Sequence, residues 1–269
     1  MVKTALNQQL NALWQSRYFI TSSIRNEFIS RVVRSRLGLL WVVLYPLAQV
    51  AIYAFVLSVV LSAKLPGLDQ PYAYPLFLTA GMLAWSLFAE ILSRSLTLFI
   101  ENGNLLKKMV FPRLALPLVL TGSALLNNSL LLGAVLLIFA LLGHWPGASL
   151  CWLPLLTALL LLLSCSAGLL LGLLNVFVRD IGQVVGILLQ FGFWLTPVVY
   201  SLDLLGPALR PWLLVNPLAG LVLGYQQVLV YGHPPQLLLL VWPALAALLL
   251  AGLAVFVYRR AIDEVVDVL

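Results

Sequence analysis

Between Leu153 and Phe177 the chain reads LPLLTALLLLLSCSAGLLLGLLNVF, with no acid, lysine or arginine in it. A helix needs about 20 apolar residues to cross the hydrocarbon core of a bilayer. Such a run is long enough to span and too uniform to be the one-sided helix of a soluble protein. It has company. Apolar runs predict six spans, at roughly 39–62, 75–98, 115–142, 152–177, 183–200 and 237–258. The 269 residues are 62% hydrophobic and only 9% charged, where a soluble domain is about a quarter charged. Short alternating segments of the kind that build a membrane barrel are absent. The expected fold is an all-α integral membrane protein with six transmembrane helices.

The first dozen residues are polar and carry no signal-peptide apolar core, so insertion is expected to rely on the first span. Orientation follows from lysine and arginine in short loops. Lys3, Arg17, Arg25, Arg31, Arg34, Arg36, Lys107, Lys108, Arg113, Arg179, Arg259 and Arg260 fall on one side, and Lys64 and Arg210 on the other. Both termini are therefore expected in the cytoplasm. The predicted organisation is a cytoplasmic N-terminal segment over 1–38, a transmembrane domain over 39–258 and a cytoplasmic tail over 259–269.

The stretch 213-LLVNPLAGLVLGYQQVLVY-231 is apolar enough to suggest a seventh crossing, but that would place Arg259 and Arg260 outside. Asn216-Pro217 instead reads as an N-cap with proline at the first helical position. The segment 201–236 is expected to be re-entrant on the outer side. Irregular backbone at that depth needs protein or water around its polar groups, which points to a protein-packed mouth.

In 17-RYFITSSIRNEFISRVVRSRLG-38, Ile20, Ile24, Phe28 and Val32 form one apolar stripe. An amphipathic interface helix is expected, with a Glu27–Arg31 pair one turn apart. Its arginines act as topology signals beside anionic lipid. Arg25, Arg31, Arg34 and Arg36 also offer guanidinium forks to a phosphorylated substrate, and a lipid-linked pyrophosphate would suit them.

Within the spans, Glu90 and Arg94 are spaced to satisfy each other at i,i+4, and an intramembrane charge is a functional candidate by default. Gly168, Gly172, Gly182 and Gly186 permit close helix packing. Most aromatics belong to interfacial belts or the core. Tyr45, Tyr53, Trp85, Phe88, Trp194 and Tyr200 are the candidates for a conduit, where rings would stack on sugars. Cys151 and Cys165 read as small hydrophobes, and no histidine, cysteine and carboxylate cluster has metal-ligand spacing. The lysines follow Val, Ala, Leu and Lys, never Gly, so no P-loop is present. Ser123 has no histidine near it in any span, which argues against a membrane serine protease. Uphill transport by this chain would draw its energy from another subunit.

The polar island 101-ENGNLLKKMVFPRLALP-117 lies between two apolar runs. Asn104 can cap a short helix, with Leu105, Leu106, Met109 and Val110 as apolar knobs, and Pro112 limits its continuation. It reads either as a solvated basic loop or as a plug for a socket.

Together, 36-RLGLLWVVLYPL-47, 104-NLLKKMVFPR-113, 175-NVFVRDIGQVV-185, 193-FWLTPVVYSLDLL-205 and 216-NPLAGLVLGYQQVLVYG-232 resemble the permease subunit of type-2 ABC exporters. Within it the chain looks most like the bacterial permeases for O-antigen, capsule and teichoic acid. The resemblance covers nearly the whole chain. It implies six spans, an N-terminal interface helix, outer re-entrant helices and a homodimer paired with two ATPase subunits that hold ATP and magnesium. It implies that Asn104, Leu105, Lys107, Lys108, Phe111, Pro112 and Arg113 form a coupling helix against the ATPase, and that Arg179 and Asp180 form a second contact. The N-terminal helix would meet the pyrophosphate of an undecaprenyl-linked glycan, most simply an O-antigen, at the inner membrane. The same architecture exporting a small lipid or drug, an integral-membrane enzyme acting on a polyprenyl carrier, and a passive channel are the rivals. No nucleic-acid partner is expected.

Overall fold

The computed structural model describes residues 14–33, 40–55, 72–108, 112–202, 205–206 and 208–268. Among these residues every regular element is a helix. In chain order they are α1 (Arg17–Val33), α2 (Leu40–Ala54), α3 (Ala73–Glu101), α4 (Gly103–Lys108), α5 (Ala115–Leu141), a 3-10 turn (Gly147–Trp152), α6 (Leu153–Phe177), α7 (Asp180–Leu195), α8 (Arg210–Leu214), α9 (Pro217–Leu229) and α10 (Leu237–Val268).

Four helical stretches are long and apolar enough to cross a membrane: Ala73–Glu101, Ala115–Leu141, Gly147–Phe177 and Leu237–Ile262. The apolar helices Val43–Tyr53 and Asp180–Leu195 are shorter. α7, with 16 residues, rises only about 24 Å. It stops where Thr196 turns extended, with ψ 137°, just before Pro197. α5 ends on Gly143 at φ 74°. There His144 N donates to Phe139 O and Gly143 N to Ala140 O, a glycine-based C-cap that satisfies carbonyls the helix itself leaves open.

α3 is the central helix. In its most apolar stretch 61% of the residues are buried, against 28% in α10. The main core joins Phe77, Leu83, Leu87 and Ile91 of α3 to Leu156 and Leu160 of α6 and to Leu221 and Tyr225 of α9. α3 and α6 approach closely because Gly168 and Gly172 face Ser95. A Cβ at 168 would meet Ser95 Oγ at 2.5 Å, and one at 172 would run into the Ser95 carbonyl. These two glycines thus pack within the chain. Gly182 faces Asn175, and Gly186 has open space.

α9 is enclosed, as a protein-packed segment must be. Leu218 to Val222, Gly224 to Gln226, Val228 and Leu229 are all buried. Asn216 Oδ1 accepts the Leu218 amide at 3.0 Å, with Pro217 at the first helical position. Its 13 residues rise about 20 Å, too little for a crossing. Pro243 explains how α9 sits so close to α10. Proline has no N–H for the carbonyl four residues back, which frees that of Leu239, and Gly220 rests against it. A Cβ at 220 would meet Leu239 O at 2.5 Å.

Most of the expected 259–269 tail is helical. α10 continues through the charged residues to Val268. Tyr258, Ile262 and Val265 are spaced four and three apart, which puts them on one helix face. That face packs in a second core with Phe99, Leu106, Leu116, Leu173 and Val176.

Candidate functional site

The polar island hangs directly from α3. Asn102 closes α3: its backbone N–H and its side-chain Nδ2 both donate to Leu98 O, at 3.3 and 2.8 Å. Its carbonyl then accepts Leu106 N at 3.0 Å and so opens α4. The expected Asn104 cap is therefore corrected. Asn104 is the second residue of α4 and exposed, because the break falls at Asn102-Gly103, two residues earlier than the apolar knobs suggest. Leu106 is buried against Ile262 and Val265 of α10, with Leu105 half-buried beside it. Arg113 Nη1 donates to Ile262 O at 3.3 Å. Pro112 is half-buried, and Asn104 and Lys107 face outward. Phe111 and the Lys108 side chain lie outside the described residues.

The second basic turn is tied to the same helix. Asn175 is buried near the end of α6. Its Nδ2 donates to Leu96 O of α3 at 2.9 Å, and its Oδ1 accepts Gly182 N at 2.8 Å. The turn carrying Arg179 and Asp180 is thus pinned to the end of α3 that bears α4. Arg179 and Asp180 are exposed, and Asp180 lies in the first turn of α7, where a negative charge complements the helix dipole. Sequence reasoning passed over Asn175. Its signal was an amide inside an otherwise apolar helix.

A charged network joins α1 to the bundle. Arg94 Nη2 donates to Glu27 Oε1 at 2.5 Å, and Arg94 Nη1 to Glu90 Oε1 at 3.2 Å. Asn127 Nδ2 of α5 donates to the same Glu90 oxygen at 3.0 Å. The Glu90–Arg94 pair stands as expected. The expected partner of Glu27 is supplemented from 67 residues away, and the Arg31 side chain lies outside the described residues. Ile24 of α1 packs against Gly122 of α5, leaving no room for a Cβ there. A cleft of about 260 Å³ opens beside the network, lined by Glu27, Arg94, Glu101 and Asn102 among others. Two carboxylates to one guanidinium make its wall acidic, so the cleft itself suits no phosphate. Of the arginines proposed to meet one, Arg25 is exposed on α1, and Arg34 and Arg36 fall outside the described residues.

The aromatic candidates gather where α2, α3 and α7 meet. Tyr53 stacks on Phe193 with centroids 5.7 Å apart. Trp85 meets Phe193 edge-on at 5.5 Å and Phe88 at 6.0 Å. Trp194 stands edge-on to Tyr53 at 6.3 Å, and Tyr200 Oη donates to the Trp194 carbonyl at 3.0 Å. Phe193, outside the candidate set, is the hub of the group. Tyr45, two turns before Tyr53, is exposed.

These features are those of a membrane permease with its polar island and its Arg179–Asp180 turn hung from one central helix, and the chain belongs to the ABC-2 type transporter family, which matches residues 18–230. It is 30% identical over 207 residues to an O-antigen export system permease protein RfbA of Klebsiella pneumoniae, covering 75% of this chain and 76% of that one. To the RfbA of Myxococcus xanthus it is 28% identical over 253 residues, covering 92% and 95%. To a polysialic acid transport protein KpsM of Escherichia coli it is 24% identical over 238 residues, covering 87% and 89%.

Proposed function

We propose that this chain is the membrane-spanning subunit of an ATP-driven exporter that moves a lipid-linked polysaccharide, with O-antigen as its cargo, outward across a bacterial inner membrane. The reading rests on family membership and on the names of its relatives. The observation that carries its mechanism is the shared anchoring of α4 and the Arg179–Asp180 turn to one end of α3. A push on either surface reaches the central helix through these anchors. α3 in turn touches α1 through Arg94, α6 through its glycines and the aromatic group through Trp85.

In this reading two copies pair, each with an ATPase subunit seated on Asn104, Lys107 and the 179–180 turn. ATP binding closes the ATPase pair and moves α4, and α3 carries the shift into the bundle. The aromatic group, with Tyr45, Tyr53, Trp85, Phe88, Trp194 and Tyr200, lines the conduit for sugar rings. Arg25, Arg31, Arg34 and Arg36 meet the pyrophosphate of an undecaprenyl carrier. The two shorter apolar helices complete six crossings, and both termini stay in the cytoplasm. A capsular glycan is the second reading, favoured by the likeness to polysialic acid transport proteins.

The test is complementation. Host cells deleted for this chain should lose surface glycan and accumulate it inside on its lipid carrier, and the wild-type chain should restore export. Unchanged surface glycan in the deletion strain would reject the reading.

A further inference from the structure

A second cavity, of about 470 Å³, lies at the other end of α3 from the island. Its wall includes Phe77, whose position on α3 is about 36 Å along the axis from Glu101. The cavity is formed where α8, the start of α9's last turn and the 231–236 turn come together, and Gly232, at φ 65°, lets that turn fold back. Ligand pockets have this size and combine an apolar frame with a few convergent polar groups.

The wall is rich in polar groups. Arg210, Gln226, Gln227, His233 and Gln236 all reach the wall. Phe77 and Tyr231 add two rings, and no carboxylate is among the described lining residues. The wall is built rather than loose. Gln227 Oε1 accepts the Gln236 amide at 2.9 Å, and His233 N donates to Gln227 O at 3.1 Å. Gln226 Nε2 donates to Pro197 O at 2.9 Å, which ties α9 to the end of α7. Gln226 is 1% exposed, and its Oε1 finds no donor among the described residues.

The chemistry narrows the occupant. A divalent cation would need carboxylates, and none is among the described residues of the wall. An acyl chain would strip water from the amides and leave them unpaired, at a cost for each. Side-chain amides present donors and acceptors together, and they pair with hydroxyl groups, which also do both. Flat rings cover the apolar faces of a pyranose. Its volume leaves room for a short stretch of sugar, not for a folded protein segment.

From this wall we infer that the cavity is a saccharide-binding site on the outer face, which takes one or two glycosyl units of the chain emerging from the membrane. The inference rests on the polysaccharide reading above. The site holds the leading sugars after they leave the aromatic group and so disfavours backward slipping. Binding must be weak, since a conducting path has to release what it holds.

The experiment uses the full exporter in nanodiscs, free of sugar-based detergent. His233→Cys is labelled with a maleimide, and the exposed native Cys151, absent from the cavity lining, serves as the internal reference, the two being resolved by peptide mass. The probe is the host's own glycan, released from its lipid by mild acid. At about four times its Kd, labelling at position 233 should slow about fivefold with Cys151 unchanged. Gln236→Cys provides a second reporter if the first variant fails to assemble. Equal slowing at both cysteines, or no slowing at either reporter up to millimolar glycan, overturns the site. Protection by inorganic phosphate in place of glycan overturns the saccharide assignment. Export by the wild-type chain is scored in the same cells. Export with no protection removes the cavity alone, and no export removes the polysaccharide reading itself.

Discussion

Arg94 holds two carboxylates at once, Glu27 of α1 at 2.5 Å and Glu90 of its own helix at 3.2 Å. All three side chains are about a quarter exposed, so solvent screens them only in part. Removing the guanidinium leaves two acids facing each other in a partly desolvated cleft. Arg94→Gln is expected to cost about 2 kcal/mol, the range for hydrogen bonds to charged groups, and to loosen α1. Glu27→Gln should cost less, because it removes one charge and strands none. A double-mutant cycle on thermal unfolding of the purified chain reads the Glu27–Arg94 coupling, expected at about 1 to 2 kcal/mol. A coupling near zero would mean that α1 is held by Ile24 and its apolar neighbours alone.

The α3–α6 contact offers a sharper steric prediction. Gly172→Ala places a methyl against the Ser95 carbonyl, a backbone atom that cannot swing aside. Overpacking of this kind costs about 1 to 3 kcal/mol. Gly133→Ala, in the same membrane but with nothing within 4 Å of the new carbon, should be neutral or gain up to about 1 kcal/mol from helix propensity. Thermal scans of the two variants beside wild type check the contrast.

Asn175 fixes the Arg179–Asp180 turn with one side-chain donor and one acceptor. Asn175→Ala removes the side-chain donor from the Leu96 carbonyl and leaves the Gly182 amide only its bond to Arg179 O at 3.2 Å, with an expected loss of about 1 kcal/mol. Hydrogen exchange should quicken at Gly182 and its neighbours while the α9 amides keep their protection. Unchanged exchange at Gly182 would show that α7 holds the turn without Asn175.

Ile262 and Val265 lie beyond the last predicted span, yet they seat Leu106 of α4. Replacing both with serine should cost about 2 to 4 kcal/mol in lost burial and free α4. The expected readout is faster exchange at Leu106 with the main core intact. If α4 stays protected, the second core does not hold it.

Much of this architecture is legible from runs of apolar residues, because a membrane demands about 20 of them per crossing. α9 was legible as a non-crossing helix because a seventh crossing would place Arg259 and Arg260 outside, and Asn216-Pro217 marked its start. What escaped was set by distant partners. Glu27 has Arg31 one turn away, and nothing local points to Arg94. The C-terminal extension of α10 reads as a charged tail because Arg259, Arg260, Asp263, Glu264 and Asp267 dominate it, although Tyr258, Ile262 and Val265 already marked a stripe. At the island, Asn104 drew attention as a cap, while Asn102-Gly103 made the break. The aromatic set was legible as residue types but not as a cluster, since Phe193 becomes its hub only when α2, α3 and α7 meet.

In the proposed function α4 is the surface through which an ATPase drives this permease. The direct measurement is co-purification of the wild-type chain, and of an Asn104→Glu, Lys107→Glu variant, from solubilised host membranes, with assay of bound ATPase and ATP turnover. Both residues face outward, so the variant should keep the wild-type melting temperature. A P-loop ATPase is expected with the wild type, and its loss with the variant. No ATPase with a folded wild-type chain, or full retention and coupled turnover with the variant, would contradict it.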